Sequence, residues 1–139
     1  MKRTLCYLLS LTIIGTIFGC KKDKIPVSNS IVGTWELSSD VNGFSGRVTV
    51  HKPGNDTLAI FTADGKYSHY DHSILSASGT YTVTLDTNSM DHTVKNRIIF
   101  NGNDADAHEF FDISNNELSM YLDPSEVSDS GGVSYRRIK

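Results

Sequence analysis

TLAIFTADGKYSHYDH, residues 57–72, has the pattern of two β-strands joined by a tight turn, and this hairpin points to the fold class. Asp64-Gly65 lies between the runs TLAIFTA and KYSHYDH. A type I′ turn needs residues that accept a positive φ, so the dipeptide predicts an antiparallel hairpin of that type.

The same alternation of apolar and polar side chains recurs along the chain. Trp35 and Leu37 have polar neighbours, and Leu118, Met120 and Leu122 alternate with other residues in the same way. Such runs place one set of side chains inward and the other outward. Turn-forming Gly, Asn, Asp and Pro residues separate the runs. Strands are therefore expected near residues 32–39, 44–51, 57–63, 66–72, 78–86, 93–101, 107–113, 116–122 and 133–138.

Short strands joined by tight turns indicate a sandwich or a barrel, and no stretch of a dozen residues carries a sustained helical stripe. Closure removes exposed strand edges, so we expect an all-β, up-and-down antiparallel β-barrel of about eight strands. Alternation leaves open whether the inward side chains fill the interior or line a cavity. The expected inward residues are Trp35, Leu37, Leu58, Ile60, Tyr81, Val83, Leu85, Ile98, Phe100, Phe111, Ile113, Leu118, Met120 and Leu122.

Five short motifs give the chain a family resemblance that covers residues 31–138. They are IVGTWEL at 31–37, IFTADGKY at 60–67, GTYTV at 79–83, NELSM at 116–120 and YRRI at 135–138. In this order they resemble the small lipocalin-like lipoproteins of Bacteroidetes, and the Gly-x-Trp of the first motif resembles the start of a lipocalin (calycin) barrel. The chain is shorter than a typical lipocalin and lacks that family's late helix.

The resemblance implies roles for individual residues. Arg137, or alternatively Arg136, is expected to lie across Trp35 and close one end of the barrel, where cation–π stacking contributes about 0.5–2 kcal/mol. A ligand cavity, if the barrel has one, is expected to be lined by apolar and aromatic side chains. The candidates for that lining are Tyr81, Val83, Phe100, Phe111, Leu118 and Met120.

The N-terminus has the layout of a secretory signal. Lys2 and Arg3 precede an apolar run that ends at Gly19-Cys20, and a helix of that run would be too short to span a bilayer. Ile17-Phe18-Gly19-Cys20 resembles the bacterial lipobox, although Phe18 is unusual there; the alternative is an ordinary signal peptide. We expect a lipoprotein signal peptide over 1–19, a lipidated Cys20 with a linker over 20–30, and a barrel domain over 31–139.

Lipidation at Cys20 predicts attachment to a bacterial membrane, since two or three acyl chains anchor a protein stably. The absence of Asp directly after Cys20 favours the outer membrane, on its periplasmic side or at the cell surface. Loss of Lys2 and Arg3 reduces the 13 Lys and Arg residues to 11 against 16 Asp and Glu, a formal charge of −5. That balance argues against a nucleic-acid partner. We expect a monomer.

Candidate metal and catalytic groups are weak. His69 and Asp71 share one face of a strand but supply only two ligands, whereas zinc sites use three or four. Exposed strand histidines are the simpler interpretation.

Residues 98–135 contain no Lys or Arg. NGNDAD at 101–106 has oxygen ligands of the kind that calcium loops use, but it lacks the glycine and the distal glutamate of an EF-hand. A solvated acidic face is therefore the favoured interpretation. No cofactor is expected.

Two functional hypotheses follow, and a catalytic role is not expected, because the sequence contains no nucleophile elbow, HExxH or phosphate loop. The first hypothesis is a membrane-anchored binding module for a small hydrophobic or amphipathic ligand. The second is a cell-envelope interaction protein with a filled barrel, which recognises protein or glycan through its loops.

Overall fold

The computed structural model describes residues 30–139, and this part of the chain consists of β-strands and their connections without a helix. The signal, lipidation and most of the linker predicted above lie outside the described residues. Over residues 30–139 there is no helix that is long and apolar enough to cross a membrane. The strands are β1 Gly33–Val41, β2 Val48–Val50, β3 Leu58–Phe61, β4 Lys66–Asp71, β5 Ile74–Thr87, β6 Val94–Phe100, β7 Glu109–Ser114, β8 Glu117–Leu122 and β9 Gly132–Arg137.

The sheet closes on itself. Strands β3 to β9 pair antiparallel in sequence order, and β1 pairs with β3 on one side and β9 on the other. β2 is an additional strand, which pairs with residues 39–41 of β1 beyond the part of β1 that pairs with β3. The structure is therefore a closed eight-stranded up-and-down barrel with one extra strand, which confirms the predicted lipocalin-like fold class.

The tight turns show which residues accept a positive φ. His72-Ser73 (47° and 67°) and Asn115-Asn116 (50° and 62°) each have two consecutive positive φ values, as a type I′ turn requires. At the predicted Asp64-Gly65 turn only Gly65 is positive, at 77°, and Thr62 N donates to Lys66 O at 2.9 Å. The hairpin is present, but its longer loop needs one left-handed residue, so the type I′ prediction was wrong there.

The interior is packed around Trp35. Ala59 and Phe61 lie on the same face as Trp35, because the register of β1 and β3 places Trp35 opposite Ala59. Leu58 and Ile60 therefore point outward and are half-buried, contrary to the prediction. Their run, LAIF, is apolar at every position, so its composition does not show which alternate set faces inward. The buried core consists of Ile31, Trp35, Ala59, Phe61, Tyr67, Ile98, Phe111, Leu118 and Met120.

The β5–β6 ribbon departs from the barrel wall. Val83 and Leu85 were expected inside, yet they are 39 % and 68 % exposed. The tip of this ribbon contacts the β8–β9 connection instead, where Ser89 N donates to Asp123 Oδ2 at 3.1 Å. Phe110 faces outward from β7 and is nevertheless fully buried, in contact with the rings of His108 and Tyr121. The outer side of this wall therefore has a small core of its own.

Candidate functional site

One end of the barrel is plugged by Trp35 and Arg137. The Arg137 guanidinium carbon lies 4.0 Å from the centre of the Trp35 ring, and the indole Nε1 donates to Ile31 O at 2.7 Å. Arg137 also donates to Val32 O at 2.9 Å and to Ser30 O at 2.7 Å. The two side chains thus hold the segment before β1 across this end, where a planar guanidinium can stack and donate at the same time.

The middle of the barrel is filled by aromatic side chains. The ring centroids of Tyr67 and Phe100 are 4.6 Å apart, and those of Phe61 and Tyr81 are 5.2 Å apart. His69 joins this group from β4, at 5.1 Å from the Tyr67 ring. Burial lowers the pKa of His69, and its Nε2 atom is buried without a hydrogen-bond partner. These contacts make this level of the barrel part of the core.

The opposite end, which we call the mouth, contains two hollows. β1 runs from the plugged end toward the mouth, so the β1–β2, β6–β7 and β8–β9 connections surround the mouth. The β6 hollow has a volume of about 210 Å³ and is lined by Arg97, Ile98, Ile99, Phe100, Asn103, Asp106, Ala107, Glu109 and Leu122. The β9 hollow has a volume of about 280 Å³ and is lined by Asp40, Val41, Glu109, Met120, Tyr121, Leu122, Gly131, Gly132 and Val133.

Glu109 and Leu122 line both hollows. They face each other across β7 and β8, and Ile98 lies opposite Glu109 on β6. Burial raises the pKa of Glu109, because the charged carboxylate loses hydration there. Burial also raises the pKa of Tyr135 to about 12, and the negative charge of Glu109 adds to that shift. The mouth therefore combines apolar side chains with the half-buried carboxylate of Glu109 and the nearby phenol of Tyr135.

A polar cluster on the outside of β6 and β7 fixes the loops beside the mouth. Arg97 contacts Asp86 at 3.2 Å and Asp104 at 2.9 Å, although its side chain is almost completely buried. His108 Nδ1 lies 3.2 Å from Glu126 Oε1, and His108 N donates to Glu126 Oε2 at 2.6 Å. These contacts join the β6–β7 and β8–β9 connections to the barrel wall, which keeps the loops in place around the hollows.

Asp123 joins the β5–β6 connection to the β8–β9 connection through hydrogen bonds. Its carboxylate accepts from Ser89 N, Ser89 Oγ, Ser125 N and Ser125 Oγ. Burial alone would raise the pKa of Asp123, but these donors outweigh it and hold the pKa well below its usual range. Together with Asp104 and Glu126, Asp123 shows that part of the acidic run over residues 98–135 stabilises loops. The predicted single solvated face was wrong for Asp123 and Glu109, because Asp123 is buried and Glu109 points into the barrel.

The predicted ligand-contacting residues occupy different parts of the molecule. Leu118 is 0 % exposed and Phe111 is buried beside it in the core, while Tyr81 packs on Phe61 in the aromatic layer. Val83 is on the exposed ribbon. Phe100 borders the β6 hollow and Met120 borders the β9 hollow, so only these two of the six line a hollow.

His69 and Asp71, the candidate metal ligands, lie in different surroundings. His69 is inside the barrel and half-buried, so the prediction of an exposed strand histidine was wrong for it. Asp71 is exposed and lies 2.6 Å from His72 Nδ1. Within residues 30–139 no group of three His, Cys, Asp or Glu side chains is arranged to hold a metal ion.

The sequence analysis missed Glu109, Asp40 and Val133 as residues of the mouth. For Glu109 a usable indication was present: Phe111 was expected to face inward, and a residue two positions earlier on one strand shares that face. The surrounding acidic residues instead suggested a solvated face. No comparable indication existed for Asp40, because an irregularity between Leu37 and Ser39 shifts the register of β1 against β9 before it.

Comparison with protein-family models, with curated proteins and with solved structures finds no match to this chain. The class of the protein therefore follows from the fold and the site alone. It is a closed eight-stranded antiparallel barrel, plugged at one end by Trp35 and Arg137 and hollow at the other.

Proposed function

We propose that this protein is a lipocalin-like, lipid-anchored, non-catalytic binding protein that holds a small hydrophobic or amphipathic molecule at the barrel mouth. The observation that carries the proposal is the pair of hollows that share Glu109 and Leu122. Ligand sites are typically concave and mostly apolar, with a few convergent polar groups. Because aromatic side chains fill the middle of the barrel, the ligand is placed at the mouth.

The proposed lipid anchor implies an orientation of the barrel on the membrane. Ser30 is held against Arg137 at the plugged end. If Cys20 carries the acyl chains, nine residues separate it from Ser30, and the chain between them can span at most about 35 Å. The plugged end would then face the outer membrane and the mouth would face away from it, open to its ligand.

Ligand binding can be tested by filling the mouth. A neutral apolar fluorophore, N-phenyl-1-naphthylamine, is titrated into the wild-type protein and into Leu122→Trp, which adds an indole at the residue shared by both hollows. Leu85→Trp is the matched control, because Leu85 is exposed on the ribbon. We expect emission to rise with the wild type and the control and to be lost with Leu122→Trp. Equal emission from all three, or none from the wild type, would refute binding at the mouth.

The anchor has its own test. When host cells are grown with an alkyne-labelled fatty acid, the wild-type protein should incorporate the label and Cys20→Ser should not, because acyl attachment needs the thiol. A wild-type protein without the label, or equal labelling of the variant, would contradict the lipobox assignment and leave the ordinary signal peptide.

A second candidate, a cell-envelope interaction protein, is favoured by the β1–β2 hairpin. Phe44 at its tip is 87 % exposed and Val50 is 79 % exposed, with Val41 and Val48 also exposed. Exposed apolar clusters of this kind occur at protein interaction sites. Retained capture of an envelope component by Leu122→Trp, combined with its loss in Phe44→Ser, would support this function over ligand carriage.

A further inference from the structure

We infer that the molecule held at the mouth is a small amphiphile with a cationic head, whose ammonium group binds the Glu109 carboxylate between the two hollows. This inference rests on the proposed binding function and specifies its ligand class.

The first argument is that Glu109 lacks a partner. Among the described residues no hydrogen bond or ion pair opposes the effect of burial on this carboxylate. Glu109 is half-buried, and a charge that loses part of its hydration is stabilised when a partner replaces it. The raised pKa means that Glu109 lowers the stability of the empty protein as the pH rises above the ordinary value of 4.5. A cationic ligand would supply the missing partner.

The second argument is the charge of the surrounding side chains. Asp106 borders the β6 hollow and Asp40 borders the β9 hollow, so each hollow has a second carboxylate. Asp40 is bonded to His51 at 2.6 Å, whereas Glu109 is free to bind a ligand. The one arginine in the lining, Arg97, forms ion pairs through Nη1 with Asp86 and Asp104, so its positive charge is already balanced. The field at the mouth therefore favours a cation over an anion.

The third argument concerns the rest of the ligand. Ile98 and Phe100 line the β6 hollow, and Met120 and Val133 line the β9 hollow, so an apolar body has a wall on either side of Glu109. Volumes of about 210 and 280 Å³ correspond to about seven to nine water molecules at about 30 Å³ each. A chain of eight carbons with one charged head is of suitable size.

Three probes with the same chain and different heads test the inference: octylammonium, octan-1-ol and octanoate. Each is used to displace N-phenyl-1-naphthylamine from the wild-type protein at pH 7. We expect octylammonium to compete about tenfold or more better than octan-1-ol, because a bond to a charged partner adds to the apolar contact, and octanoate to compete worst. In Glu109→Gln the advantage of octylammonium over octan-1-ol should disappear.

Glu117→Gln is the matched control, since it removes the same charge from an exposed residue in the β7–β8 hairpin at the plugged end. It should leave the order of the three probes unchanged. Thermal unfolding without ligand checks the fold of Glu109→Gln, which should be at least as stable as the wild type at pH 7.

The outcomes separate the two proposals. If octan-1-ol and the fluorophore bind but octylammonium has no advantage, or its advantage survives in Glu109→Gln, the cationic ligand class is refuted while binding at the mouth stands. If neither the fluorophore nor any of the three probes binds the wild type, the proposed function itself fails.

Discussion

Replacement of Arg137 by Met should destabilise the plugged end substantially, since Met keeps an apolar stem but cannot stack as a cation or donate. The change removes the guanidinium 4.0 Å above the Trp35 ring and its hydrogen bonds to Val32 O and Ser30 O. Cation–π stacking contributes about 0.5–2 kcal/mol. Each hydrogen bond from a charged donor contributes about 1.5–3 kcal/mol, and the low end applies here because the half-exposed carbonyls can regain water.

Together these contributions predict a loss of about 3.5–5 kcal/mol in the free energy of unfolding, or on the order of 15–20 °C in Tm. Urea unfolding followed by fluorescence measures it directly, because Trp35 is the only tryptophan and lies at the perturbed end. Arg47→Met is the control, since Arg47 is exposed in the β1–β2 connection, and it should change stability by less than about 0.5 kcal/mol.

A double-mutant cycle isolates the stacking. With Trp35→Phe as the second change and circular dichroism as the probe, the coupling energy between the two positions should be about 1 kcal/mol. A coupling energy indistinguishable from zero would refute stacking as a stabilising contact. A loss in Arg137→Met no larger than that in Arg47→Met would refute the plug as a whole.

Two further perturbations probe the loops and the core. Asp123→Asn should cost about 1–3 kcal/mol at pH 7, because an amide cannot accept from every donor of Ser89 and Ser125. The lowered pKa of Asp123 means that its stabilisation is fully present above the ordinary value of 3.8 and is lost progressively as the pH falls toward the lowered value. The difference between mutant and wild type in urea unfolding should therefore be smaller at pH 3 than at pH 7, and a constant difference would contradict this. Leu118→Ala, at a fully buried position, should cost about 2–5 kcal/mol in the same assay, and a loss below 1 kcal/mol would mean that the centre of the barrel is not tightly packed.

The nine strands and the closed barrel were predictable because both follow from local chemistry. Alternation along β1 and β8 and turn residues such as Asn115-Asn116 act within a few positions, so both can be recognised directly in the sequence. Closure follows from many short strands that must leave no free edge. The contact of Arg137 with Trp35 was expected from family resemblance, and the structure places the two side chains together.

The face of each strand was less predictable where local chemistry was ambiguous. LAIF could turn either set inward, and the register against Trp35 selected Ala59 and Phe61. Val83 and Leu85 alternate like inward residues, but the ribbon that carries them contacts the outside of the barrel through Ser89 and Asp123. A contact between residues 34 positions apart leaves no trace in a period-2 pattern.

The strand content, the turns and the antiparallel barrel follow from the amino-acid sequence, because these depend on interactions between neighbouring residues. Where the barrel is packed and where it is hollow follows from its three-dimensional arrangement. That division depends on the combined registers of all the strands around the barrel, including irregularities such as the one after Leu37. The sequence of a single strand does not show this combined register. The same arrangement places Glu109, one of many acidic residues in the sequence, between the two hollows.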